Sequence, residues 1–198
     1  SFALAGGTLS GALNGGVGNN SLTGDNVANT WTITALDSGT VNGVAGGFTN
    51  IGTLIGGSAN DSFTLSGGTL SGALDGGAGI NTLTADNVAN TWNVTGPRAG
   101  TVTGIGGGYS NIDNLIGGSG ADTFTLNDGV VVAGAIDGGA GADTLDLSAY
   151  TTNRNVVVTA SGVNGFSGTE GSVAGGFADI DAVTAPAAKA EGPPGNAV

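Results

Sequence analysis

The chain contains no histidine and no cysteine, and its only basic residues are Arg98, Arg154 and Lys189. Most enzymes need a group that titrates near neutral pH, a reactive thiolate, or a cation that stabilises developing negative charge. For such chemistry this chain offers carboxylates, hydroxyls and backbone groups alone. The sequence therefore predicts a protein that is not an enzyme.

The charge balance disfavours two classes of partner. The formal net charge is -12 at pH 7, with 15 acidic residues. A surface of this sign repels nucleic-acid phosphates and anionic lipid headgroups. No apolar run approaches the ~20 residues that a membrane-spanning helix needs. We therefore expect neither nucleic-acid binding nor membrane insertion.

Proline is rare, with 4 residues, whereas glycine is abundant, with 42. Hydrophobic residues make up 39% of the chain, which is too many for a disordered glycine-rich sequence. The glycines are therefore interpreted as turn residues between short strands.

A long internal repeat organises this composition. Residues 1–61 begin SFALAGGTLSGALNGGVGNNSLTGDNVANTW, and residues 62–122 begin SFTLSGGTLSGALDGGAGINTLTADNVANTW. A third and more divergent copy covers residues 123–183. Residues 184–198 break the pattern and are interpreted as a linker or a disordered tail.

Each repeat divides into segments that open with a glycine-rich turn and continue as short alternating stretches such as Ser-Phe-Thr-Leu. Alternation with period two is typical of half-buried strands. The predicted fold class is all-β, a parallel β-solenoid with about 20 residues per coil and three coils per 61-residue repeat. In such a stack Trp31 would lie one repeat beneath Trp92. An antiparallel sandwich is the alternative topology.

The same alternation predicts where side chains point. The residues expected to face the core are Phe63, Leu65, Leu83, Trp92, Val94, Val102, Ile105, Ile112 and Leu115. The residues expected to face outward are Thr64, Thr82, Thr84, Asn93 and Thr101. Asn87 and Asn90, which repeat Asn26 and Asn29, are expected at corners, where their side chains can bond the turn backbone or tolerate left-handed conformations.

The 61-residue unit, which contains GGSGADTFTL, DNVANTW and GGGYSNIDNL, resembles the β-strand repeats of very large bacterial surface proteins. Those proteins are grouped with filamentous-haemagglutinin-like adhesins. The resemblance implies export to the cell surface or the extracellular space and an elongated β-helical stalk. The predicted function is a structural and interaction segment of an extracellular adhesin, stalk or fibre, whose adhesive target the sequence does not specify.

The glycine-rich turns resemble the calcium-binding nonapeptide of RTX proteins, G-G-x-G-x-D-x-U-x. Residues 117–125 (GGSGADTFT) and 138–146 (GGAGADTLD) match it fully, and residues 56–64 (GGSANDSFT) match with one alanine for glycine. The resemblance implies Asp122, Asp143 and Asp61 as candidate metal ligands, with calcium the only cofactor suggested. A calcium-binding module whose folding depends on calcium is the alternative function.

Two features of the turns separate this chain from that family. Asn20 and Asn81 occupy the aspartate position in further turns, and the motifs do not run in uninterrupted tandem. Capping of turn amides by aspartate or asparagine, without any metal, is therefore a competing explanation. Arg98 and Arg154 lie in different segments and are predicted to be solvated charges.

The predicted partner is a second copy of the chain or a continuation of the same stack. Residues 1–4 (SFAL) match residues 62–65 (SFTL) but lack the Gly-Gly-Ser turn that precedes the latter. A stack of strands cut at that point exposes unpaired N–H and C=O groups above an apolar core. Either a longer solenoid or head-to-tail assembly of copies would cover them.

Overall fold

The computed structural model describes residues 1–187, and every regular element in that range is a β-strand. The predicted all-β class is therefore confirmed. No helix that could cross a membrane occurs among these residues. Most of the segment interpreted as a tail, residues 188–198, lies outside the described range.

The three repeats contribute seven strands each. Those of the first repeat are β1 (Phe2–Ala3), β2 (Leu13–Asn14), β3 (Ser21–Thr23), β4 (Thr30–Ala35), β5 (Ser38–Val41), β6 (Val44–Thr49) and β7 (Thr53–Ile55). Those of the second are β8 (Ser62–Leu65), β9 (Leu74–Asp75), β10 (Thr82–Thr84), β11 (Thr91–Gly96), β12 (Ala99–Val102), β13 (Tyr109–Ser110) and β14 (Asn114–Ile116). Those of the third are β15 (Thr123–Leu126), β16 (Ile136–Asp137), β17 (Thr144–Asp146), β18 (Val156–Gly162), β19 (Gly165–Glu170), β20 (Val173–Ile180) and β21 (Ala182–Thr184).

The strands form two mixed sheets. One has ten strands in the order β1-β3-β7-β9-β13-β12-β11-β15-β17-β21, and the other has eleven in the order β18-β19-β20-β16-β14-β10-β8-β4-β5-β6-β2. Along the chain, successive strands alternate between the two sheets, except where three consecutive strands stay in one sheet. With neighbouring strands about 4.8 Å apart, ten or eleven strands extend for about 50 Å.

Those three-strand exceptions are antiparallel meanders, one in each repeat: β4-β5-β6, β11-β12-β13 and β18-β19-β20. Each folds back, so that its last strand pairs in parallel with an earlier part of the chain. In the first meander the β5–β6 turn is the dipeptide Asn42-Gly43, with Gly43 at φ 84°. Asn-Gly between two strands strongly favours a tight hairpin. The sequence prediction of purely parallel coils overlooked this signal.

The meanders change how the repeats are related. The chain of each 61-residue repeat passes alternately through the two sheets, five times in all. Because five is an odd number, each repeat starts in the sheet opposite to the one in which the previous repeat started. Equivalent residues of successive repeats therefore lie in opposite sheets. Trp31 belongs to the eleven-stranded sheet and Trp92 to the ten-stranded sheet. The expected count of three coils per repeat is thus wrong, and so is the expected stacking of Trp31 beneath Trp92.

The core lies between the two sheets along the whole described chain. Trp31 stacks on Phe63 of the next repeat, with ring centroids 5.6 Å apart, and Trp92 stacks on Phe124 at 5.3 Å. All nine residues expected to face the core are buried, and none of the five expected to face outward is. The period-two alternation therefore predicted side-chain direction correctly, although it did not reveal which sheet each strand joins.

Candidate functional site: two ladders of buried Asn and Asp side chains

Eight Asn and Asp residues form two ladders, each residue directly preceding a strand. The first ladder consists of Asn29, Asp61, Asn81 and Asp113, at the start of adjacent strands of the eleven-stranded sheet. The second ladder consists of Asn90, Asp122, Asp143 and Asp181, at the start of adjacent strands of the ten-stranded sheet. The three residues predicted as metal ligands are members: Asp122 and Asp143 are neighbours in the second ladder, whereas Asp61 lies in the first.

Backbone-to-side-chain hydrogen bonds connect the members of each ladder. In the first, the backbone N–H groups of Asn29, Asp61 and Asn81 donate to the next side-chain oxygen at 2.7, 2.8 and 2.8 Å. In the second, those of Asn90, Asp122 and Asp143 donate likewise at 2.7, 2.8 and 2.7 Å. In every ladder residue except the first of each, Asn29 and Asn90, one side-chain oxygen therefore satisfies a turn amide, as the capping explanation predicted.

In the asparagines of the ladders the side-chain amide nitrogen faces carbonyl oxygens. The Asn90 amide nitrogen donates to the carbonyls of Asp86 and Val88 at 2.8 and 2.7 Å, and to that of Gly117 at 3.2 Å. Asn29 makes the same three bonds to the carbonyls of Asp25, Val27 and Gly56. An NH₂ group suits this place because it supplies only donors and the surrounding backbone supplies only acceptors.

The three candidate aspartates put a carboxylate oxygen in that same place. Side chains would not fit at the first glycine of these turns: a Cβ at Gly117 would overlap both Asp122 Oδ2 and the Gly138 carbonyl oxygen. At Gly76, in an asparagine turn, the overlap is with the Asn81 amide nitrogen and the Asn111 carbonyl oxygen. Oδ2 of Asp61, Asp122 and Asp143 is buried without a hydrogen-bond partner.

Burial perturbs the acidity of these groups. The pKa of Asp143 is raised to about 6, chiefly by desolvation; the negative charges of Asp122, Asp181 and Asp137 contribute to the rise, and the hydrogen bond from the Asp122 backbone amide opposes it. Desolvation also raises the pKa of Asp122 and that of Asp61, although hydrogen bonds from Asn90 and Asn29 oppose the shift. The electrostatic repulsion between a carboxylate and nearby carbonyl oxygens is relieved in one of two ways: the carboxylate takes up a proton, or it binds a cation.

The oxygen atoms in these turns are the type of ligand that a hard cation prefers, but each turn supplies fewer of them than calcium takes. Calcium takes six to eight oxygen ligands, and each turn offers one unpartnered carboxylate oxygen beside backbone carbonyls. Within residues 1–187 no three acidic side chains converge on one point. Asp122 and Asp143 are nevertheless adjacent, with the Asp122 amide 2.8 Å from Asp143 Oδ1, so a cation shared between their turns would find two carboxylates.

Two further acidic ladder members were not predicted as site residues. Asp113 and Asp181 both follow the sequence Asx-Ile, at residues 111–113 (NID) and 179–181 (DID), and both precede a strand. The recurrence of Asx-Ile-Asp at one place in two repeats was the available signal. It was overlooked because the nonapeptide pattern does not include it.

Both described arginines form ion pairs, which corrects the prediction that they are solvated charges. Arg98 lies 2.7 Å from Asp113 Oδ2 at the end of the first ladder. Arg154 Nε donates to the buried Glu170 carboxylate at 2.8 Å, and its guanidinium lies over the Tyr150 ring, 4.3 Å from the centroid. These pairings join residues 15 and 16 positions apart, across turns that the sequence alone does not bring together.

No family model, no curated protein and no solved structure matches the chain.

Proposed function

We propose that the chain is a non-catalytic structural and interaction segment, a solenoid-like stalk from an extracellular or cell-surface adhesin or fibre. The observation that carries the proposal is the repeated joint between repeats. The strand that begins each later repeat pairs in register with the preceding meander, Trp31 with Phe63 and Trp92 with Phe124. Because the joint is the same each time, the stack can be lengthened by adding repeats, which is what a spacer requires.

The residues support a mechanical role. The large side chains of each repeat pack in the core between the sheets, and the polar turn residues that recur from repeat to repeat form the two ladders. The acidic, glycine-rich composition and the resemblance to bacterial surface repeats support an extracellular location. Binding of antibodies raised against the chain to intact, unpermeabilised cells tests the location, and staining only after permeabilisation contradicts it.

The stalk proposal predicts the effect of removing one repeat. Deletion of residues 62–122 joins Asp61 to Thr123 and reproduces an existing type of joint, so the shortened chain should fold. The seven strands of one repeat are divided between two sheets, so each sheet loses 3.5 strands on average. With about 4.8 Å between neighbouring strands, the particle should shorten by about 17 Å. Small-angle X-ray scattering at low protein concentration measures the maximum dimension. A deleted chain that unfolds, or that keeps its length, contradicts a modular stalk.

A calcium-dependent module is the second candidate, and the buried, unpartnered Oδ2 atoms favour it. Asp122 and Asp143 would hold the ion together with turn carbonyls, and the bound cation would offset the charge of the second ladder. Millimolar calcium should then raise the melting temperature at pH 8, and Asp143→Asn should abolish the increase. Asp128→Asn, at an exposed aspartate, is the matched control and should leave the increase intact. An identical melting curve in calcium and in chelator leaves amide capping as the explanation of the motif.

A further inference from the structure

The first and second repeats differ at the hairpin turn between the first two strands of their meanders. The turn holds Asp37 between β4 and β5, and it holds Arg98 at the equivalent place between β11 and β12. The backbone around the two residues is the same, because the Ile51 N–H donates to the Asp37 carbonyl at 2.9 Å and the Ile112 N–H donates to the Arg98 carbonyl at 3.1 Å. The two side chains therefore start from equivalent places and carry opposite charges.

In the second repeat the guanidinium of Arg98 fills the space beside this turn. It donates to the Asp113 carboxylate at 2.7 Å and to the Gly79 carbonyl oxygen at 2.6 Å. A longer bond of 3.4 Å reaches the Asn111 carbonyl oxygen. Carboxylates and backbone carbonyls only accept hydrogen bonds, so a group that carries only donors suits the space between them.

In the first repeat the corresponding space is a polar cavity of about 230 Å³. Gly18 and Gly52 line it, at the positions that Gly79 and Asp113 hold in the second repeat. The turn glycine with its carbonyl group is thus retained, whereas Gly52 has no carboxylate. None of the described residues that line the cavity is basic. The first repeat therefore lacks the guanidinium that fills this space in the second.

Asp37 supplies the carboxylate that Gly52 lacks. Its Oδ1 lies 3.4 Å from the point that a Cβ on Gly52 would occupy, and the Asp113 side chain begins at the equivalent point of the second repeat. The Ser71 N–H and hydroxyl donate to the two Asp37 carboxylate oxygens at 2.7 Å each, which holds the carboxylate in place. The first repeat therefore keeps both kinds of acceptor, a carboxylate and a turn carbonyl, around a space with no donor group of the Arg98 type.

We infer that this cavity binds a guanidinium group from outside the chain, the side chain of an arginine in a partner polypeptide. The guanidinium bridges the Asp37 carboxylate and the Gly18 carbonyl oxygen, as the Arg98 guanidinium bridges the equivalent groups in the second repeat. The Thr53 hydroxyl, which also lines the cavity, is a further acceptor. The inference goes beyond the proposed function, because the cavity belongs to one turn of the stack whether or not the chain is a stalk.

The acceptors favour guanidinium over other cations. A guanidinium is planar and carries five N–H donors in fixed directions, so that one group reaches a carboxylate and a carbonyl together. An ammonium group is a compact and strongly hydrated point charge, and calcium takes six to eight oxygen ligands, more than this turn supplies. The net charge of -12 attracts cations in general, and the acceptors of the turn select among them.

Titration of the isotope-labelled full chain with N-acetyl-L-arginine amide, followed by the backbone amide signals in NMR spectra, tests the inference. The signals of Thr53 and Ser71 should shift and saturate at millimolar concentration, because a single, partly exposed ion pair is weak. N-acetyl-L-citrulline amide has a similar shape without the charge and should not shift them. N-acetyl-L-lysine amide has the charge without the planar donors and should bind severalfold more weakly.

Two variants connect the binding to the cavity. Asp37→Asn keeps an acceptor for the Ser71 N–H but removes the charge, and it should weaken binding by about tenfold or more. Asp37→Arg combined with Gly52→Asp rebuilds the pair of the second repeat and should abolish binding, because the chain's own guanidinium then fills the space. Asp128→Asn is the matched control, since Asp128 accepts the N–H and hydroxyl of Thr151 in the same way, and it should bind like the wild type. Melting curves confirm that each variant is folded.

Three results overturn the guanidinium site. They are a wild-type chain whose Thr53 and Ser71 signals show no saturable shift, a citrulline or lysine derivative that binds as tightly as the arginine derivative, and a folded Asp37→Asn variant that binds like the wild type. A chain that fails these tests and still shortens when residues 62–122 are deleted would lose this site and keep the stalk proposal.

Discussion

The two Asx ladders share a backbone and differ in charge. The first alternates Asn29, Asp61, Asn81 and Asp113, and Arg98 pairs with its last carboxylate. The second has one asparagine, Asn90, followed by three aspartates. Within the part of the chain that the structure describes, no arginine pairs with those aspartates.

The difference teaches how one turn design tolerates two kinds of side chain. Either side chain supplies the oxygen that receives the next turn amide, but only asparagine also supplies a donor to the carbonyl oxygens nearby. An isolated aspartate leaves one acceptor unpaired, and adjacent aspartates add mutual repulsion. The second ladder should therefore be the part of the molecule that responds to pH and to cations, and substitutions that exchange the two patterns can test this.

The largest effect is expected at the asparagines that begin the ladders. Asn90→Ala removes donors to three carbonyl oxygens and to Asp122 Oδ1, and should lower the free energy of unfolding by about 3 kcal/mol or more. Asn29→Ala removes the equivalent bonds and should have an equal effect, because the ladders are alike at this end. Urea denaturation measures both changes. Losses below about 1 kcal/mol would mean that water replaces the amide in these turns.

The next effect comes from giving the first ladder the pattern of the second. Asn81→Asp places three carboxylates in succession and removes the donor to the Ala78 and Asn111 carbonyls. We expect a loss of about 2 kcal/mol at pH 8 and a smaller loss at pH 5, where the new group can be protonated. Unfolding at the two pH values measures the difference. A loss that does not depend on pH would attribute the effect to shape rather than to charge.

A gain in stability is expected from the reverse change. Since burial raises the pKa of Asp143 to about 6, the folded chain binds this proton more tightly than the unfolded chain, whose pKa is near 3.8. Stability from this group is therefore present below pH 3.8 and is lost as the pH rises to about 6. In calcium-free buffer Asp143→Asn should raise the free energy of unfolding by about 1–2 kcal/mol at pH 8 and have little effect at pH 4. Chemical unfolding across that range measures it, and destabilisation at pH 8 would show that the carboxylate is needed there.

The smallest effect is expected at Arg98. Its guanidinium is partly exposed and bonds Asp113 at 2.7 Å and the Gly79 carbonyl oxygen at 2.6 Å. Arg98→Gln should lower the free energy of unfolding by about 0.5–1 kcal/mol, and less at high salt, because exposed ion pairs are screened. Urea midpoints at low and high salt measure this. A larger loss would make the arginine essential to the first ladder.

The sequence predicted the local strand pattern correctly but not how the strands are arranged in the two sheets. The alternation in Ser-Phe-Thr-Leu and Thr-Trp-Asn-Val fixed which side chains are buried, because a strand exposes every second residue to each face. The 21-residue separation of Asp122 and Asp143 is close to the expected coil of about 20 residues, and their turns are indeed adjacent. Pairing between sheets did not follow, because a meander of three strands and a parallel coil show the same period-two pattern. Asn42-Gly43 marked the fold-back and would have changed the expected count of coils per repeat.

The odd number of times that each repeat passes through the two sheets determines which side of the stack an inserted loop would face. A loop inserted at one turn of a repeat would project from one side of the stack, and a loop inserted at the same turn of the next repeat would project from the opposite side. Duplication of a single repeat would therefore rotate everything beyond it by half a turn, whereas duplication of two would restore its orientation. Any segment beyond the repeats would therefore keep its orientation only when the stack is lengthened by pairs of repeats.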